Sequence, residues 1–334
     1  MLINMKRMKI NKRFLNRLLI IILSIFTLLS AIIIGLRFNY RYFYKTAQRE
    51  FLIPALSGGF VPQGFTYSEK EYIFLISGYI TGSKEAKVII TKPDGSYRIL
   101  TVLDEQGKVL ISHMGGIGIY EEYVYMAGCN GICYVLSSEE LIHGDSDKIS
   151  VMGSFKTGNE ASFCFVSENS LYVGEYYYNI KFKTDEAHQM TTPTGDANKA
   201  LMLRFELDQE YPLGVDTSPD MALSTTGRIQ GGCLTNNGTM VLSASSIFQG
   251  SQLYYYDYIT IVSEVADIFE IEGRAIPLYY LDNDNLIETI SVLPKSEGIT
   301  VCNDNIYIVF ESATRRFKYG KLLDAQYVYS LPLD

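Results

Sequence analysis

Residues 296–311 read SEGITVCNDNIYIVFE: a polar residue and a glycine, an apolar run, an Asn-Asp turn, and a second run of β-branched and aromatic side chains. Two such runs joined by turn residues describe a β-hairpin, and neither carries the 3.6-residue period of a helix. The same pattern opens four earlier segments, at Gln63-Gly64-Phe65, Gly115-Gly116-Ile117, Glu160-Ala161-Ser162-Phe163 and Gln230-Gly231-Gly232. The second apolar run follows each time, at 72–77 (YIFLIS), 123–127 (YVYMA), 171–175 (LYVGE), 239–243 (TMVLS) and 306–311 (IYIVFE). From opening residue to the end of the second run is 14 residues for Gln63 to Ser77 and for Glu297 to Glu311, and 15 for Glu160 to Glu175. A spacing this regular marks an internal repeat.

Third strands follow at 87–91, 132–136, 201–207, 252–256 and 326–331, and fourth strands at 97–103, 149–155, 221–225 and 286–293. The fifth unit ends with the chain before supplying a fourth, and residues 50–56 (EFLIPAL) are the strand that would close the ring. Four-stranded units repeated about an axis are propeller blades. The sequence therefore predicts an all-β propeller of five blades. A sixth, built around 277–282 (PLYYLD) within the long fourth unit, is the alternative.

The composition agrees. Of 334 residues, 47% are apolar and 20% charged, with 26 Tyr and 17 Phe, enough core material to exclude a disordered chain. Residues 1–49 carry ten Lys or Arg and no Asp or Glu, which leaves 19 basic against 37 acidic residues, a charge of −18, for 50–334. That body repels polyanions, so nucleic acid is not an expected partner.

From Leu18 to Leu36 the chain reads LLIIILSIFTLLSAIIIGL, nineteen uncharged residues preceded by Lys6, Arg7, Lys9, Lys12, Arg13 and Arg17. At about 1.5 Å per residue this just crosses a hydrocarbon core of roughly 30 Å. The stretch exceeds the apolar region of a cleaved signal peptide, and no small-x-small site precedes Arg37. The aromatic cluster Phe38, Tyr40, Tyr42, Phe43 and Tyr44 suits a membrane–water interface. The expected order is a basic cytoplasmic tail (1–17), a transmembrane signal anchor (18–36), a juxtamembrane linker (37–50) and an extracellular propeller (51–334).

With Pro62-Gln63-Gly64, His113-Met114-Gly115-Gly116-Ile117, Glu160-Ala161-Ser162-Phe163, Ile229-Gln230-Gly231 and Ser296-Glu297-Gly298-Ile299, the chain resembles secreted or membrane-anchored propellers of Gram-positive bacteria, loosely grouped with TolB-like and gluconolactonase-like propellers. The resemblance implies the architecture. It does not carry lactonase chemistry, because the Glu/Asn/Asn/Asp metal set of gluconolactonases has no match in position.

Residues just before each innermost strand converge on the axis of a propeller, which makes Gln63, His113, Glu160, Gln230 and Glu297 the expected ligand-binding set, with Glu175 and Glu311 at the ends of second strands. Glu160, Glu175, Glu297 and Glu311 form an oxygen-rich set that suits Ca²⁺ or Mg²⁺ better than zinc. Crowded carboxylates raise one another's pKa, so Glu160 or Glu297, or His113 as base, are the candidates for catalysis. The tyrosines 176–178 would stack on sugar rings, or simply alternate in a strand. Asp282-Asn283-Asp284 lacks the glycine of a calcium loop, His143 and His188 read as surface residues, and Asn237-Gly238 reads as a hairpin turn. The five cysteines (129, 133, 164, 233, 302) read as buried free thiols. These features predict a binding module for a small molecule, glycan or envelope component. A cell-surface hydrolase of esters, lactones, phosphoesters or glycans is the first alternative, and a protein-docking scaffold the second.

Overall fold

The computed structural model describes residues 12–179, 181–246 and 250–333. Lys6, Arg7 and Lys9 of the basic stretch lie outside the described residues. Two units result, Met1–Arg41 and Tyr42–Asp334.

In the first unit, Lys12–Phe38 is an α-helix. Its Leu15–Phe38 portion has a mean hydropathy of 2.9 and none of it is buried. Side chains such as Phe26 and Ile34 are about as exposed as those of an isolated helix. The helix is long and apolar enough to cross a membrane, as a single-pass anchor or a signal sequence is. The Thr27 hydroxyl returns to the carbonyl of Leu23, so it adds no unsatisfied donor to that surface.

The second unit is a propeller of five blades. Blade 1 runs from the innermost strand Phe60–Ser68 outward through Ile73–Ile80, Ala86–Thr91 and Tyr97–Leu103. Blade 2 is built from Gly116–Tyr120, Tyr123–Ala127, Ile132–Ser137 and Gly153–Lys156. Blade 3 comprises Phe163–Ser167, Ser170–Gly174, Ala200–Glu206 and Met221–Thr225, and blade 4 comprises Ile229–Leu234, Thr239–Ser246, Gly250–Asp257 and Leu286–Val292. Blade 5 takes Ser296–Cys302, Asn305–Phe310 and Tyr327–Pro332 from the end of the chain, and Gln48–Leu52 from its beginning. The five innermost strands border one another in a closed ring.

Alternating residues of facing blades fill the spaces between them, with Leu75, Val88, Leu100, Ile117, Val124 and Leu136 fully or almost fully buried between blades 1 and 2. Leu171, Leu201, Phe205 and Tyr125 do the same between blades 2 and 3. Two sheets stacked through apolar faces in this way are the sandwich solution repeated around an axis.

Three details differ from the sequence reading. The expected fourth strand 149–155 is two strands in two blades: Lys148–Ser150 adds in parallel to the edge of blade 1, and Gly153–Lys156 is the outer strand of blade 2. The chain switches sheets within one peptide, for the Val151 amide donates to the Leu103 carbonyl and the Met152 amide to the Val135 carbonyl. The described residues form no sixth blade. Arg274–Tyr280 pairs in parallel with Met221–Thr225 and carries Asp267–Ile271 on its other edge, making blade 3 six-stranded. The closing strand is Gln48–Leu52 instead of 50–56, because the chain turns at Ala55 in a left-handed conformation and forms the short 3₁₀ turn Leu56–Gly58.

The short helix Arg41–Thr46 leads into that closing strand. Phe43 is fully buried, 5.0 Å from the ring of Tyr329 and 6.1 Å from that of Phe310. The Tyr44 hydroxyl donates to the Leu323 carbonyl. Tyr42 and Thr46 line a pocket of about 130 Å³ together with Ile287, Ile290 and Pro332. The chain thus enters the propeller on the flank between blades 4 and 5.

Candidate ligand site at the propeller mouth

Every innermost strand is approached through a residue of positive φ: Gly59 (92°), Met114 (50°), Ala161 (46°), Arg228 (72°) and Lys295 (58°). Four of the five are not glycine, and the left-handed conformation is uncommon for such residues. Each marks the point where the chain drops from the rim toward the axis.

Immediately after that turn, three consecutive blades break register. Pairing in blade 5 passes from Ser296–Phe310 to Ile299–Ile308 and skips Glu297-Gly298; blade 1 passes from Pro62–Gly78 to Phe65–Ile76 and skips Gln63-Gly64. In blade 4 the break falls between Ile229 and Gly231 and leaves out Gln230. A bulge lifts a residue out of the ladder and re-aims its side chain. The repeated Gln/Glu-Gly pair is therefore a set of bulges that places Gln230, Glu297 and Gln63 in the innermost strands of three neighbouring blades. The glycines let the bulges nest: a Cβ on Gly298 would lie 2.3 Å from the amide nitrogen of Phe65, and one on Gly64 would lie 2.5 Å from the carbonyl carbon of Gly116. Blades 2 and 3 pair regularly from Gly116 and Phe163 onward.

Glu297 is 1% exposed, and its Oε1 has no hydrogen-bond partner among the described residues. Burial pushes its carboxyl well above the ordinary carboxylate range; the charge of Glu311 adds to this and Lys295 opposes it. The influence of Glu297 reaches Tyr79 of blade 1, Cys129 at the end of the second strand of blade 2, and Tyr176 just beyond that of blade 3.

Around Glu297 stands a rim of mixed charge. Lys295 Nζ is 2.5 Å from Glu311 Oε1 and 4.0 Å from the ring centre of Phe317. The Arg316 guanidinium lies 5.0 Å from the centre of the same Phe317 ring and donates to the Tyr79 hydroxyl at 3.4 Å. Tyr79 and Tyr176 are both pushed up to about 12, chiefly by burial, so each keeps its proton. Arg228 lies over the ring of Tyr178, 5.6 Å from its centre.

His113 is half-buried, with its ring 4.5 Å from that of Tyr79. Burial, then Lys84, Arg316 and Lys295, push it down to about 4, so it is neutral and a weak base at neutral pH. Its Nδ1 is 3.8 Å from Cys129 Sγ, and burial pushes that thiol up to about 12. Both partners are uncharged, unlike the thiolate–imidazolium pair of an activated cysteine.

The other expected site residues divide. Glu175 is 1% exposed and fully engaged: it accepts from the amides of Glu160 (3.3 Å) and Leu201 (3.0 Å) and meets His188 Nδ1 at 2.9 Å. His188, expected on the surface, is buried, because the 3₁₀ turn Glu186–His188 folds the blade 3 insertion back so that the ring packs 5.7 Å from Phe269. Glu160 is exposed, and Gln63 is buried with its side-chain amide donating to the Pro62 carbonyl. Glu311 is held by Lys295. The carboxylates Glu160, Glu175, Glu297 and Glu311 thus have different surroundings, and no three His, Cys, Asp or Glu side chains form a metal-holding group among the described residues. All five cysteines are free thiols, four of them buried.

Sequence reasoning passed over the cations. Lys295 and Arg228 stand directly before the repeated Ser296-Glu297 and Ile229-Gln230 pairs, and Arg315-Arg316-Phe317-Lys318 is a basic run in an acidic body; both signals were visible.

No protein-family model and no curated protein sequence matches the chain. Among solved structures it is similar to glutaminyl cyclase from Myxococcus xanthus, at 11% identity and a TM-score of 0.38 over 78% of this chain and 90% of that one. It is similar to BamB from Moraxella catarrhalis at 9% and 0.34, over 80% and 84% of the two chains. The Dos1 propeller aligns at 10% and 0.34, over 74% of this chain and 52% of that one. These likenesses concern fold alone, which here rests on the five sheets and their closed ring. The chain is a five-bladed β-propeller with an N-terminal apolar helix, and nothing in these likenesses places it among TolB-like or gluconolactonase-like propellers.

Proposed function

We propose that this protein is a membrane-anchored propeller that binds a polar ligand at its mouth, with the helix Lys12–Phe38 as the anchor, the basic N-terminal side in the cytoplasm and the propeller outside. The basic residues before the helix support that orientation. The observation that carries the binding reading is the buried, unpartnered carboxyl of Glu297 in the innermost strand of blade 5. A buried polar atom without a partner costs about 1–3 kcal/mol, and a core free to choose would place an apolar group there. Tyr79, Tyr176 and Phe317 supply ring faces and edges beside it, and Arg228 and Arg316 supply fixed donors. A few convergent polar groups among aromatic ones are the usual make-up of a small-ligand site.

The test separates binding from architecture. Glu297→Met in the full-length protein is expected to raise the Tm of the ligand-free form and to abolish the Tm increase that a set of polar metabolites produces on the native protein. A lowered Tm together with an unchanged metabolite response would show that Glu297 serves the fold and would overturn the reading.

A further inference from the structure

The body of the protein carries a charge of −18, yet the groups that act electrostatically on His113 at the mouth are all cations: Lys84, Arg316 and Lys295. They differ in how they are held. Lys295 is neutralised by Glu311. Arg316 is exposed, and its contacts are neutral: the Tyr79 hydroxyl and the Phe317 ring. Lys84 is exposed in the left-handed conformation (φ 57°), in the loop that follows the second strand of blade 1. No carboxylate pairs with Arg316 or Lys84 among the described residues.

The loops that carry them meet. The Arg315 Cδ and the Thr81 Cβ both lie within 3.9 Å of the position that a Cβ on Gly59 would take, and the Thr81 amide donates to the Gly59 carbonyl. Tyr79 then links this corner to His113, since its hydroxyl holds Arg316 and its ring lies 4.5 Å from the His113 ring, tilted by 39°. A planar guanidinium fixed on an aromatic face and lacking an acidic partner is arranged for an oxyanion.

Resting on the reading of the mouth as a ligand site, we infer that the ligand carries an oxyanion, a carboxylate or a phosphate group, seated against Arg316 and Lys84, and a hydroxyl- or carbonyl-bearing body that reaches Glu297. The anion completes the charge balance that the protein leaves open at this corner, and the buried, unpartnered Glu297 carboxyl meets the neutral end. The acidic body excludes polyanions at long range, so the ligand is small, with one charged group that fits the corner.

The experiment is a calorimetric titration of the full-length protein in detergent micelles, at constant ionic strength, with four probes: D-glucuronate, inorganic phosphate, D-glucose and D-glucosamine. At least one of the two anions is expected to bind roughly tenfold or more tightly than glucose. Which of them does so distinguishes the carboxylate from the phosphate. In the Arg316→Gln/Lys84→Gln double variant that preference is expected to disappear. A parallel NMR titration of the three histidines identifies the His113 ring by its loss in His113→Asn, and the bound anion is expected to raise the His113 pKa from about 4. Equal or tighter binding of glucose or glucosamine, anion binding that survives the double substitution, or no anion binding at tens of millimolar each overturns the inference. If glucose or glucosamine binds and Glu297→Met removes that binding, the mouth remains a ligand site and only the anion is wrong. If Glu297→Met changes no probe's binding, both readings fall.

Discussion

Glu175 and His188, thirteen residues apart, share a hydrogen bond of 2.9 Å that ties the long insertion of blade 3 back to the rim from which it departs. Burial lowers the His188 pKa, but the hydrogen bond and the charge of Glu175 outweigh it and the net shift is upward. A group whose pKa is raised on folding stabilises fully below its unfolded value, near 6.5, and that contribution is lost as pH rises through the higher folded value. The native protein is therefore expected to lose Tm relative to His188→Asn as pH rises from about 6.5 through the folded pKa. Parallel melting curves of the two proteins across that window check it; coincident slopes would show that the pair does not titrate with folding.

Gly298 tests the nesting of the bulges. A methyl group there meets backbone at 2.3 Å, which no side-chain rotation relieves. Gly298→Ala is expected to destabilise by about 1–3 kcal/mol or more, as overpacking does. Gly35→Ala, where a Cβ meets nothing within 4 Å and φ is not positive, is the neutral control. Chemical denaturation of the two variants gives the comparison, and equal midpoints would refute the close approach.

Phe43 carries the packing of the entry helix. It is fully buried against Tyr329 and Phe310 although it lies in the stretch that the sequence marks as a linker. Phe43→Ala is expected to cost about 3–5 kcal/mol, the range for deleting a buried aromatic side chain. Tyr42→Ala, at a half-exposed position on the same helix, is expected to cost far less. Unfolding midpoints that do not separate the two would place the helix off the propeller.

The thiols are expected to be inert. Burial pushes Cys129 and Cys233 up to about 12, so at pH 8 almost no thiolate is present at either. A disulfide-exchange reagent is expected to modify none of the five rapidly in the native protein and all five after denaturation. Fast native labelling of Cys129 would show that His113 activates it.

The parts of this molecule that could be read from its sequence are those fixed by local chemistry. Gln63-Gly64, Gln230-Gly231 and Glu297-Gly298 announce themselves because the bulges need glycine where neighbouring backbones almost touch. The hairpins follow from alternating apolar residues between turn residues. What could not be read depends on partners distant in sequence. Val151 and Met152 have no local signal that sends one amide to blade 1 and the next to blade 2. The parallel pairing of Met221–Thr225 with Arg274–Tyr280 leaps over most of blade 4 and leaves no period in the chain. His188 looks like a loop residue until the insertion folds onto Glu175, and Arg316 looks solvated until Tyr79 and Phe317 are seen beside it.

The strand Gln48–Leu52 also sets an order of events. It pairs with Tyr327–Pro332, the last strand of the chain, with Gln48 opposite Ser330 and Leu52 opposite Tyr327. Loop closure over so long a separation is entropically costly and slow, so the ring shuts last. Blades 1 to 4 draw all their strands from residues 60–292, while blade 5 waits with an open edge until the final residues arrive. During that interval the unpaired edges of Gln48–Leu52 and Asn305–Phe310 are the surfaces most exposed to mispairing with a second copy. A chain shortened by even a few residues at its far end would complete four blades and be unable to lock the fifth.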